Sequence, residues 1–287
     1  MKKELFNKIL IGFAFSPNLK ANVFEALRLA DFFNASLFFL HVGEKTESKE
    51  SAFLKILKAS PLSKKITLLW KKGDPVNTII SACKENKIDL LLLGALKREN
   101  MLKFYLGSIA RKLTRRSRCS VLLLIDPSIE NTPAQHIVVN AFDNSEAEKT
   151  ILKAFSFAFA SKIPKITLVE EINRSDLNLN VYDDRSLRRT TLKKEKIKRR
   201  ELTRVTKILK KIPSTFKENI KINTQSIFGT RGYSIGHYAK VKRADLLIMA
   251  SNEKKESFFS KFFPKDLDYI LGELPANVLI LKNSKHG

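Results

Sequence analysis

Short apolar runs alternate along the chain with longer stretches in which apolar residues recur every three or four positions. In the first half the runs are Ile9–Phe15, Ser36–Val42, Ile66–Trp70, Asp89–Gly94 and Ser120–Ile125. They are almost unbroken in Leu, Ile, Val and Phe, the pattern of strands covered on both faces. Between them lie amphipathic stretches such as Ala21–Asn34, where Val23, Leu27, Ala30 and Phe33 keep helical spacing. Pro75, following Gly73-Asp74, suits the first turn of a helix. Strands alternating with helices, joined by right-handed crossovers, predict a doubly wound α/β fold built on parallel strands.

The plan is used twice. Runs at His136–Ala141, Lys165–Glu170, Ile220–Ile227, Asp245–Ala250 and Asn277–Leu281 repeat it in the second half. Gly73 and Gly229, Asp89 and Asp245, and Gly94 and Ala250 are each separated by 156 positions. A constant offset of this kind marks a duplicated folding unit. The expectation is two domains, 1–130 and 131–287, each an open five-stranded parallel sheet with helices on both faces. The Pro-containing segment Asp126–Pro133 would link them. The first strands are only 128 positions apart, so the second half holds 28 extra residues before its third strand, and these fall in a basic segment near 185–211.

That segment dominates the charge. Of 53 Lys and Arg in the 287 residues, 13 lie between Arg185 and Lys211 against two acids, Glu195 and Glu201, in a chain of net charge +24. Leu202, Val205, Ile208 or Leu209, and Ile212 predict an apolar stripe turned to the core, leaving a cationic face that is either simply solvated or an electrostatic footprint for a polyanion. No aromatic residue falls between Arg185 and Lys211, so there is no platform for stacking single-stranded bases. The two cysteines, Cys83 and Cys119, sit within apolar patterns and read as buried thiols of a reducing compartment. Neither they nor the four scattered histidines have metal-ligand spacing, so no metal is expected. Lys2-Lys3 before an apolar run resembles a leader, but Ser16-Pro17-Asn18 follows without a small-residue cleavage pattern, and a buried first strand is expected instead. A cytoplasmic location without membrane insertion is the expectation.

The chemistry-bearing loop follows the run Leu90–Leu93. Gly94 would let the backbone leave the strand beside a ligand, and Gly107-Ser108 opens a helix whose free N–H groups favour an anion. The same residues also read as ordinary chain reversal and helix capping. The pattern Gly94-x2-Lys97-x9-Gly107-Ser108, preceded by Asp89-Leu-Leu-Leu-Leu and followed by Cys119-Ser-Val-Leu-Leu-Leu, resembles the universal stress protein family. Gly73-Asp74-Pro75 and His41-Val42 agree with it, and the repeat resembles a tandem member. The resemblance implies a non-enzymatic stress-response regulator that binds ATP or another adenine nucleotide, with Val42 at the base and Gly94, Lys97, Gly107 and Ser108 at the phosphates. It also implies a homodimer or an intrachain pseudo-dimer. Two positions depart from the family pattern: Lys97 replaces a glycine, and Ala14 replaces an aspartate. In the second half Ala250, Glu253, Phe263 and Pro264 stand where glycines and a serine would be, so that half is expected to be a degenerate copy.

Two further readings remain open beside the nucleotide one. The chain could be a scaffold that binds protein partners and no nucleotide, or a weak polyanion binder acting through the basic segment. An enzyme is not expected, since no nucleophile and base stand at usable spacing.

Overall fold

The computed structural model describes residues 5–60, 65–97, 104–177, 182–251 and 265–282. The chain divides into two compact units, residues 1–133 together with 271–287, and residues 134–270.

The first unit runs β1 (Lys8–Phe13), α1 (Leu19–Phe32), β2 (Ser36–Val42), α2 (Glu47–Lys58), β3 (Ile66–Lys71), α3 (Pro75–Glu85), β4 (Leu90–Gly94), a two-residue pair β5 (Leu96–Lys97) and β6 (Phe104–Tyr105), α4 (Ser108–Arg116) and β7 (Ser120–Leu124). Its main sheet is ordered β3-β2-β1-β4-β7, with every pairing among these strands parallel. Burial explains the unbroken runs: Leu90, Leu91 and Leu92 are fully buried, and Leu93 nearly so. Each such side chain contributes roughly 1.5–3 kcal/mol of transfer free energy. Helix α1 buries Val23, Leu27 and Ala30 completely. Helix α3 starts as its sequence requires, with Pro75 in the first turn and the Asp74 carboxylate accepting from Asn77 N at 2.9 Å.

The second unit contains β8 (Ile137–Asn140), α5 (Ala147–Ala160), β9 (Lys165–Asn173), the 28-residue α6 (Asp184–Lys211), β10 (Lys221–Gly229), α7 (Tyr233–Val241) and β11 (Leu246–Ala250), with α8 (Lys265–Gly272) closing it. Its strands lie in the order β10-β9-β8-β11, all parallel. The chain then returns to the first unit. The last strand, β12 (Asn277–Leu281), pairs antiparallel with β7 in the register Val278 to Leu123 and Ile280 to Val121. The Asn277 side chain accepts from Ile125 N at 2.8 Å, and Lys282 N donates to Ser120 Oγ at 3.2 Å, fastening both ends of that pairing.

Candidate functional site

In an open parallel sheet the carboxyl ends of the strands are where ligands are received. In the first unit the ends of β1 and β4 open into a pocket of about 300 Å³. Gly12, Leu93 and Gly94 form its floor, Ile79 of α3 one wall, and Gly107, Ser108, Ile109 and Ala110 at the start of α4 the other. Two glycines keep the floor low. A Cβ on Gly12 would come to 3.0 Å from Ile79 Cδ1, and one on Gly94 to 3.1 Å from Asn22 Oδ1. Gly107 is the residue that caps α4, and as a glycine it brings no side chain to hydrogen-bond the helix end. Ser108 is therefore the first helical residue rather than the cap, and its exposed side chain leaves its hydroxyl available at the pocket rim.

Gly94, Gly107 and Ser108, separated in sequence, thus share one pocket. Lys97 lies just beyond, paired in β5 against Phe104. Val42 ends β2, on the far side of β1 from β4, and is not among the residues lining the pocket. Its chain neighbour His41, pointing to the opposite face of the strand, belongs to an aromatic cluster. His41 packs edge-on to Trp70 at 4.9 Å with its Nδ1 3.1 Å from Phe13 O, and Phe13 stacks on Phe53 at 4.4 Å. Ala14 is exposed just past β1.

The second unit has a different arrangement at the ends of β8 and β9. The Arg204 guanidinium of α6 contacts the Glu170 carboxylate, donates through Nε to Glu201 at 3.0 Å, and donates to Ala141 O at 2.5 Å. Asp143, the acidic strand end, lies 3.6 Å from the same guanidinium. Burial pulls Arg204 below its ordinary pKa, opposed by the Asp143 charge. Next along β9, the buried Glu171 accepts from Gly232 N at 2.8 Å and Ile235 N at 2.9 Å, capping α7 with a carboxylate. Ala250 ends β11, half-buried; Glu253, Phe263 and Pro264 lie outside the described residues.

The expected apolar stripe of α6 is corrected in one place. Val205, Ile208 and Ile212 are buried, but Leu202 is 51% exposed. Glu201 is buried in its stead, drawn inward by Arg204. Among the described residues no group of three or more His, Cys, Asp or Glu could hold a metal ion, and no helix is long and apolar enough to cross a membrane.

Residues 5–124 match the universal stress protein family. That span takes in the whole pocket. The universal stress protein YxiE of Bacillus subtilis is 24% identical to 42% of the chain, over 99% of its own length. Two solved structures share the fold at greater extent. A universal stress protein from Archaeoglobus fulgidus aligns with 98% of this chain and 100% of its own at a TM-score of 0.69 and 15% identity. A protein from Pseudomonas aeruginosa PAO1, described as functionally unknown, aligns with 98% of this chain and 94% of its own at 0.68 and 14%.

Proposed function

We propose that the chain is a non-enzymatic stress-response regulator whose first unit binds an adenine nucleotide. The observation that supports this reading is the convergence of Gly94, Gly107 and Ser108 on one pocket at the strand ends, beside a helix start without a side-chain cap. Phosphates would take the N–H groups at the start of α4 and the Ser108 hydroxyl, with Lys97 as a point charge nearby and the base directed toward Val42. Affinity is modest, because Ala14 offers no carboxylate to a ribose. A thermal-shift titration of the full chain with ATP and with AMP tests it. Ligand at a hundred times its Kd stabilises the folded state by about 2.7 kcal/mol. Absence of any shift with either nucleotide at millimolar concentration would leave the scaffold reading in its place.

A second reading concerns α6, which is about 42 Å long at 1.5 Å per residue. Arg185, Arg188, Arg189, Lys196, Arg199, Arg200, Lys207 and Lys210 are all exposed. At 100° per residue they fall within an arc of about 120°, turned away from Val205 and Ile208, and the exposed acids Asp184 and Glu195 fall outside it. Lys193 is excluded, since its ammonium donates to Leu177 O at 2.6 Å. Such a face attracts phosphodiester backbones without reading bases, and the attraction weakens steeply with salt through counterion release. Binding of duplex DNA of mixed sequence at low salt should vanish near physiological ionic strength. Replacing Lys196, Arg199, Arg200 and Lys207 with Gln should abolish it while thermal stability is kept. Salt-resistant binding of one sequence would contradict this reading.

A further inference from the structure

At the amino edge of the first unit's sheet, away from the pocket, two thiols meet. Cys83 stands in the last turn of α3, and Cys119 immediately precedes β7. The backbone brings them together. Ile88 N donates to Cys83 O at 2.9 Å, and Ser120 N donates to Asp89 O at 3.1 Å, so the start of β7 is delivered beside the end of α3. The two thiols lie close enough to perturb each other's ionisation, and Ser117 Oγ lies 3.0 Å from Cys119 Sγ. Exposure is 9% at Cys83 and 4% at Cys119.

A charge is buried beside them. Lys282, 3% exposed, donates through its ammonium to Thr114 O at 2.9 Å and Ser117 O at 2.5 Å. The neighbouring Cys83 thiol lowers the Cys119 pKa against the effect of burial, helped by Ser117 and by the Lys282 charge. The same contact with Cys119, and then burial, push Cys83 up. The Ser117 hydroxyl and the Lys282 charge both act on Cys119, so this sulfur is the one whose thiolate is favoured, with Cys83 as its neighbour. This is the division of labour between an attacking and a resolving thiol.

We propose that Cys83 and Cys119 are an oxidisable dithiol, closed by hydrogen peroxide to an intrachain disulfide. The Cys119 thiolate attacks one peroxide oxygen; the O–O bond breaks, and the departing hydroxide takes a proton to become water, leaving a sulfenic acid. The Cys83 sulfur then attacks the Cys119 sulfur. The S–O bond breaks, and hydroxide leaves with the Cys83 proton as a second water. Two thiols lose two electrons and two protons while one peroxide is reduced to two waters. Peroxide is close to water in size, and this suits sulfurs so little exposed. The dithiol holds whether or not the pocket binds a nucleotide.

The test uses the full chain, reduced and freed of reductant, then exposed to a small excess of hydrogen peroxide. After quenching with catalase, free thiols are alkylated in denaturant and the intact mass is measured. The expected product loses two hydrogens, takes up no alkylating agent, and yields a Cys83–Cys119 crosslinked peptide under non-reducing digestion; dithiothreitol restores both thiols. Cys83→Ala should instead retain one oxygen at Cys119, trapped by dimedone, and Cys119→Ala should leave Cys83 alkylatable. Three results would overturn the proposal in the wild-type chain itself, where no variant has to fold. These are persistence of both thiols, oxygen gain without a crosslink, and crosslinks only between chains.

Discussion

Replacing Arg204 with Met tests how the long helix α6 is held to its unit. Met keeps most of the aliphatic stem and its packing, so what is removed is the guanidinium. That group serves two carboxylates at once, with Glu170 at 5% and Glu201 at 4% side-chain exposure, while Arg204 itself is 20% exposed. Glu201 keeps a second partner, Arg200 at 2.8 Å, but that arginine is 72% exposed and compensates weakly. Glu170 is left with its charge uncompensated, and Ala141 O loses its donor. Removing one partner of a buried pair costs roughly 3–5 kcal/mol, and the loss here should fall in that range. The assay is urea denaturation followed by far-ultraviolet circular dichroism, read on the transition of the second unit because a two-unit chain need not unfold in one step. Adding Glu170→Gln to the Arg204→Met background should recover more than half of the loss, since it removes the stranded charge. The reasoning fails if Arg204→Met costs less than about 1 kcal/mol, or if the double variant is as unstable as the two single changes added together.

At the pocket, Gly107→Val should abolish any nucleotide-dependent thermal shift, because a branched side chain would cover the start of α4; Ala250→Gly in the second unit should leave that shift unchanged. Acid stability should depend on His136, which is buried with its Nε2 2.8 Å from Thr167 Oγ1. Burial, then the nearby Lys165 charge, lower its pKa, while Asp245 opposes them and Lys242 both opposes them through its backbone and adds to them through its charge. The unfolded chain therefore binds this proton more readily, and stability is lost as pH falls below the ordinary histidine value of about 6.5. His136→Asn should flatten the fall in melting temperature between about pH 6.5 and pH 5, and an unchanged slope would show that other groups set it.

The strands were readable because burial on both faces leaves no polar position in a run such as Leu90–Leu93, and helical spacing was equally plain in α1. An apolar run carries no sign of direction, so nothing in Asn277–Leu281 announced an antiparallel partner in β7. The β5–β6 pair escaped notice since two-residue strands have no period. At the pocket, the glycines of the loop were legible from their spacing, but Gly12 and Ile79 were missed. A glycine inside a strand was the available signal for Gly12, as it often marks a close approach of other groups to the backbone. Leu202 misled for a chemical reason. Periodicity of apolar residues cannot register an ion pair, and Glu201 turns inward to meet Arg204 across one helical turn.

The return of β12 to the first unit has a consequence for synthesis. Val121, Leu122 and Leu123 emerge long before the strand that covers their edge, with the whole second unit made in between. At 5–20 residues per second, the roughly 150 intervening residues leave that edge open for about 8–30 s. During that interval the nascent chain presents an apolar strand with unpaired backbone groups to its surroundings, the form in which β proteins join wrong partners. Dividing the gene at the linker would make the exposure permanent, so residues 1–130 expressed alone should be far more prone to aggregate than the full chain.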